Sequence, residues 1–296
     1  MSLPSPNPRD WSHLVLLSFM WGTSFLFTRI ALGTLPPVTV VAARLVLGAV
    51  VLLGLLRVAG HRLPRGTTIW VWYFVLGLLG NALPFTLITW GQERIDSGLA
   101  AILLAVMPLG TLVLAHLFVA GESMTRAKTA GFCIGFAGLV VLVGPDALRE
   151  LGGGSSSIGR QLAVVAGALC YSANAIVARR LPPHAAVVNT AGSILMATLL
   201  MVPIALIVDR PWTLGASVEV AVALGWLGIV STAVASVVYF RIIASAGPTF
   251  LALINYLIPL VAVVGGMVVL GEELPPHALV ALAIILGGIG VSQRSR

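Results

Sequence analysis

The sequence predicts an all-α polytopic membrane protein, with ten transmembrane helices arranged as two inverted five-helix repeats. Three observations lead there. The 296 residues are 58% hydrophobic and only 9% charged, against roughly one quarter charged in ordinary globular chains, and the mean hydropathy is +1.05. Breaks at Pro, Gly and charge divide the chain into ten apolar segments that, with tilt, cross a hydrocarbon core of about 30 Å. The first five segments also resemble the last five at an offset of about 150 residues.

The expected spans are 11–32, 38–57, 68–90, 97–119, 127–144, 160–180, 185–208, 218–243, 249–271 and 275–292. The first is longer than a signal-peptide core and lacks a small-x-small cleavage site, so it is read as retained. The fifth and tenth are short and glycine-rich, but the repeat argues for spans rather than re-entrant pieces. Setting Pro108 against Pro259 aligns ILLAVMPLGTLVLAHLFVAGE with LALINYLIPLVAVVGGMVVLGEE, and one or two inserted residues bring Gly135 and Gly138 onto Gly287 and Gly290. Further back, Trp21 meets Tyr171, Arg29 meets Arg179 and Gly77 meets Gly228. Five is odd, so the second half enters the membrane from the other side. The halves are 11–144 and 160–293; the segment 145–159, containing GGGSSS, reads as a flexible tether on the non-cytoplasmic side.

Charge sets the orientation. Of the 17 bases, eleven fall on the side of the N-terminus: Arg9, Arg57, Arg62, Arg65, Arg126, Lys128, Arg179, Arg180, Arg241, Arg294 and Arg296. Five fall opposite, which puts both termini in the cytoplasm, and the cytoplasmic (inner) membrane of a bacterium is the expected location. The net charge of +7 is spread singly between apolar runs without aromatic interleaving, so no nucleic-acid partner is expected. Cys133 and Cys170 lie within apolar runs as packing residues. There is no Gly-rich loop with Lys, no HExxH and no CxxC, so neither an enzyme, a cofactor nor a metal is expected.

The runs WGTSFLFTRIAL and PPVTVVAARL, and a Pro in the middle of the fourth and ninth spans followed by GE at the span end, resemble the EamA-type members of the drug/metabolite transporter superfamily. The resemblance covers Trp21 to Gly290 and rests on the order of the motifs. It implies a ten-helix exporter or facilitator of small metabolites with a central cavity between the halves. The second half departs from the first, with Asn189 and Thr190 where the first has Arg44 and GEE for GE.

Ionisable groups within spans are costly and mark function by default. Arg44, about six residues into the second span, is beyond snorkelling reach. It would hold a carboxylate or phosphate of the substrate, or alternatively pair with helix-end carbonyls or a loop carboxylate such as Glu93 or Asp96. All ten acids fall at span ends or in loops, which disfavours proton antiport of cations through a buried carboxylate. His116 is the one titrating alternative.

Neutral polar and aromatic residues complete the candidate substrate contacts. Trp21, Ser24 and Thr28 share a face of the first span, and Tyr171 and Asn174 repeat it on the sixth. Asn81, Trp90, the stripe Thr232, Ser236 and Tyr239, and Asn255 are the others, with helix–helix hydrogen bonding as the alternative role. Pro84, Pro108 and Pro259 are expected to bend helices and free carbonyls toward the cavity. The glycines of the fifth and tenth spans read as packing faces. The partners expected are lipid and a small-molecule substrate, with the chain a monomer or weak homodimer. The function expected is secondary transport of amino acids or related organic anions. The alternatives are a proton-coupled exporter of cationic drugs and, from another class, a membrane-embedded lipid-handling enzyme.

Overall fold

A computed structural model describes residues 6–95, 100, 103–143, 151, 154–258 and 276–293. Among the described residues all regular structure is helical. The helices are α1 (Pro8–Leu32), α2 (Pro37–Val58), α3 (Thr67–Gln92), α4 (Val106–Phe118), α5 (Arg126–Val143), α6 (Gly154–Arg179), α7 (Ala186–Val208), α8 (Val218–Ala246), α9 (Pro248–Ile258) and α10 (Pro276–Gln293). Six of them, α1, α2, α3, α6, α7 and α8, are long and apolar enough to cross a membrane. At 1.5 Å per residue, the 22 residues of α2 span about 33 Å.

Local sequence sets the helix starts. Asn7 caps α1: its side chain accepts the amides of Arg9 and Asp10, and the Asp10 carboxylate accepts the Asn7 amide. Pro37 opens α2 in the first turn, where a missing N–H costs nothing. Ser217 caps α8 by accepting from the Val220 amide. Gly247, at φ 86°, makes the turn into Pro248 and α9 that an L side chain would strain.

Two helices are interrupted by wide turns. Leu78–Ala82 within α3 and Trp226–Val234 within α8 are π-helical, a local widening that recurs at functional sites. They occupy corresponding places, about 150 residues apart. The segment in α8 is bonded to α1: the Trp21 indole donates to the Ser231 carbonyl at 3.2 Å, the Ser231 hydroxyl to the Met20 carbonyl at 2.9 Å, and the Trp226 indole to the Thr23 hydroxyl at 3.1 Å. The segment in α3 packs instead on α6 and α7.

Side chains such as Val50, Leu162, Ile207 and Val222 face outward, an apolar surface that water does not tolerate and lipid does. Inside, α5 and α10 meet backbone to backbone. A Cβ on Gly288 would stand 2.7 Å from the Gly131 carbonyl oxygen, so this contact requires glycine.

The structure changes two expectations. α6 begins at Gly154, so the last six residues of the expected tether are helical, a Gly/Ser composition that a helix N-terminal turn accepts as readily as a linker does. Pro108 does not bend the middle of a helix. A turn at Ala105 precedes it and places it in the first turn of α4, where its missing N–H is not needed. Pro259 lies outside the described residues, as do most of 145–153.

Candidate functional site

A cavity of about 90 Å³ is lined from α1 by Trp21, Ser24, Phe25 and Thr28, and from α2 by Arg44. α3 contributes Phe85, Ile88, Thr89 and Gln92, α6 Tyr171, α8 Tyr239, and α9 Asn255 and Ile258; Leu104 and Met107 close it. Phe25 and Gln92 also line a vestibule of about 910 Å³ at the end of the bundle where α1 stops, together with Arg29, Glu93, Arg94 and Arg160. On the other side a chamber of about 30 Å³ shares Trp21, Phe85, Tyr171 and Tyr239, and adds Asn81, Asn174, Ser193 and Ser236.

Among the described residues Arg44 is the one Lys, Arg, His, Asp or Glu in the central lining, and it is buried, at 5% exposure. Its Nε donates to Thr232 Oγ1 at 3.1 Å, and its guanidinium carbon stands 3.9 Å from the centre of the Phe85 ring, within cation–π reach. Thr232 is suited to accept because its own proton goes elsewhere: the hydroxyl donates to the Leu227 carbonyl at 2.7 Å, inside the π turn. Gly48 and Gly228 let α2 and α8 approach closely enough for this bond, since a Cβ on Gly48 would meet the Thr232 methyl at 2.9 Å. The expected alternative partner Glu93 is engaged by Arg160, and Asp96 lies outside the described residues.

The boundary between cavity and chamber is aromatic. The rings of Trp21 and Tyr239 have centroids 6.0 Å apart, and those of Phe85 and Tyr171 6.4 Å apart. The Asn174 amide donates to the Tyr239 hydroxyl at 2.7 Å, while its buried Oδ1 has no hydrogen-bond partner. An orphan acceptor beside an enclosed space is costly unless water or a ligand reaches it.

The structure thus brings together Trp21, Ser24, Arg44, Tyr171, Tyr239 and Asn255 in the cavity, and Asn81 and Asn174 in the adjoining chamber. Trp90 is not brought there. It is 40% exposed, with Arg160 over its ring at 3.9 Å and donating to its carbonyl, so it packs a vestibule cation. His116 is exposed and accepts from the Met124 amide at 3.3 Å, away from the cavity. Pro84 follows the π turn directly; its ring removes the N–H that would serve the Gly80 carbonyl, and Gly80 lines the chamber. Asn255 donates to the Met107 sulfur at 3.2 Å. Asn189 accepts from the Tyr73 hydroxyl at 3.2 Å and lines neither space.

Sequence reasoning missed Phe25, Phe85, Thr89 and Gln92. Phe85 and Thr89 follow Asn81 at intervals of four, with Gln92 three beyond, so one face of α3 carried the signal at helical spacing.

Comparison with known proteins bears on the fold and the family. A solved crystal structure superposes with a TM-score of 0.78 at 24% identity, covering 96% of this chain and 99% of its own, and so shares the fold. From Escherichia coli K12, the protein named "Uncharacterized inner membrane transporter YedA" is 25% identical over 92% of this chain and 87% of its own length. "Protein PagO" of Salmonella typhimurium is 26% identical over 93% and 90%, and the chloroplastic "WAT1-related protein At3g02690" of Arabidopsis thaliana 25% over 95% and 68%. The EamA-like transporter family matches twice, at residues 12–144 and 160–293. The chain is an integral membrane protein and belongs to the EamA-like transporter family.

Proposed function

We propose that this protein is a secondary transporter, not an enzyme, that moves amino acids or related organic anions by alternating access between two inverted five-helix halves. The halves are 11–144 and 160–293, joined by 145–159, with both termini cytoplasmic. Three features support the inversion: the double family match, the paired π turns, and the exchange of partners, in which α1 packs on the π turn of α8 and α6 on that of α3.

One observation carries the substrate class. Arg44 is buried in the cavity without an Asp or Glu among the described residues of the lining, and a buried charge needs a partner. A substrate carboxylate or phosphate supplies it, in bidentate geometry with the guanidinium nitrogens not used by Thr232. The aromatic rings receive the apolar part of the substrate, and Asn174 Oδ1 offers an acceptor to an amino or hydroxyl group. Arg44 stays protonated under working conditions, so the coupling we assign is facilitation or exchange rather than proton antiport. The same cation repels cationic drugs.

Purified protein in liposomes tests this reading. Counterflow of labelled amino acids or organic anions is expected in wild type, lost in Arg44→Ala, and present without an imposed pH gradient. Strict dependence on a pH gradient would defeat the coupling assignment, and equal counterflow in Arg44→Ala would defeat the site.

A further inference from the structure

At the end of the bundle where α1 begins, a separate cavity of about 930 Å³ opens between the start of α1, the end of α2, the start of α7 and the end of α8. We infer that it binds the headgroup of an anionic phospholipid: the phosphate between Arg9 and Arg241, the upper acyl chains on Val58 and Val237. The inference concerns a site apart from the transport cavity and does not depend on what that cavity carries.

The chemistry of the walls supports this. Arg9, Arg241, His13 and His61 face the space. Among the described residues its one carboxylate is Asp10, whose Oδ1 accepts from the Ser245 hydroxyl at 2.6 Å and Oδ2 from the Asn7 amide at 2.9 Å, so the two arginines leave the lining net positive. Neither Arg9 nor Arg241 forms an ion pair among the described residues. The first turn of α7 lines the same space, and its cap Ala185 provides no side-chain acceptor, so free amides and the positive end of the helix add to the field.

A soluble anion would need only those donors. The remaining wall, however, is apolar and bare, with Val58 at 88% and Leu55 at 41% exposure. The depth also fits. Asn7, Val58 and Ala185 are each the last residue or cap of a helix, which is where apolar spans end and headgroups begin. Basic pockets between helices at this level hold anionic headgroups. Arg57 and Arg179, in the last turns of α2 and α6, stand at this same end of the bundle and add to the positive field that draws anionic lipid.

The elements around the cavity come from both matched segments, α1 and α2 from the first and α7 and α8 from the second. A lipid held there spans them and favours the arrangement in which this face is closed.

The test is retention of phosphatidylglycerol by the full-length purified protein, read by native mass spectrometry and by the shift in Tm on adding lipid. Phosphatidylethanolamine and inorganic phosphate serve as comparison probes. Each arginine near an anionic lipid contributes about a fivefold factor, so Arg9→Gln/Arg241→Gln should weaken phosphatidylglycerol binding by about thirtyfold, with Arg9→Lys/Arg241→Lys keeping most of it. Arg62→Gln/Arg65→Gln removes the same charge from exposed loop positions outside the lining and should leave binding unchanged. Three results would each overturn the site: undiminished binding in Arg9→Gln/Arg241→Gln, an equal loss in the loop variant, or inorganic phosphate matching the lipid's Tm shift.

Discussion

Arg44 on α2 donates to Thr232 on α8 across 3.1 Å, joining positions 188 residues apart inside an apolar bundle. This bond sets a sign for mutagenesis that a generic buried arginine would not. Thr232→Val strands the guanidinium with Phe85 alone and should cost about 1.5–3 kcal/mol, the worth of a hydrogen bond to a charged group. Arg44→Leu removes the charge itself, and replacing buried ions by apolar residues is often neutral or stabilising. The double variant should therefore recover most of the loss caused by Thr232→Val. Thermal unfolding of the four proteins without ligand forms the cycle; purely additive effects would mean that the bond contributes nothing.

The glycines of α10 separate packing from helix propensity. Gly288 faces α5, and a Cβ there would stand 2.6 Å from the Gly135 amide nitrogen, whereas Gly287 has nothing within 4 Å. Backbone cannot retreat as a flexible side chain can, so Gly288→Ala should lower stability by about 1–3 kcal/mol, the usual cost of overpacking. Gly287→Ala should be neutral or slightly stabilising, as Ala is the better helix former. A matched pair of melting curves decides it, and equal destabilisation would show that α5 and α10 do not meet as described.

The helices were legible because lipid leaves a blunt signature: α2, expected at 38–57, runs from Pro37 to Val58, and α7, expected at 185–208, from Ala186 to Val208. Arg44 was legible for the same reason, since a charge inside an apolar run is costly wherever it points. The π turns were not legible. They have no composition of their own and depend on which neighbour the helix meets, as the three hydrogen bonds between α1 and the segment in α8 illustrate. Trp90 was misplaced because spacing along a helix gives a face but not what lies opposite; what lies opposite is Arg160 of α6. Phe85 and Gln92 were within reach of the periodicity and were passed over beside the more polar Asn81.

Asn174 offers a test in which stability and function should separate. Its Oδ1 is buried without a partner while its amide nitrogen serves Tyr239. Leu keeps the branched skeleton of the Asn side chain, so Asn174→Leu removes an unsatisfied acceptor, worth about 1–3 kcal/mol of desolvation, at the cost of one hydrogen bond of about 1 kcal/mol. Stability should hold or rise, while counterflow of substrates bearing an amino or hydroxyl group falls and that of simple carboxylates persists. A uniform fall across both classes would assign Asn174 to architecture rather than recognition.

At the end of the bundle bearing the N-terminus, α1 and α6 are both tied to the last turn of α8, and in the proposed transport cycle these contacts would keep that end closed. Arg179 at the end of α6 donates to the carbonyls of Ile243 and Ala244 at 2.9 and 2.8 Å, and Ser245 donates to Asp10 of α1 at 2.6 Å. Those carbonyls end a helix, where a cation adds dipole stabilisation of about 0.3–1 kcal/mol to its hydrogen bonds. Both bonds come from one guanidinium nitrogen; Arg179→Gln keeps a donor but loses the charge, so the population opening on this side should rise several-fold. Ser236 lines the chamber beneath, and a Ser236→Cys reporter should react faster with a membrane-impermeant thiol reagent applied from the N-terminal side when Arg179→Gln is added. From the vestibule side the same reporter should react more slowly, because alternating access opens one end at the expense of the other. Acceleration from both sides would indicate a loosened bundle rather than a displaced equilibrium, and no change would remove Arg179 from the gate.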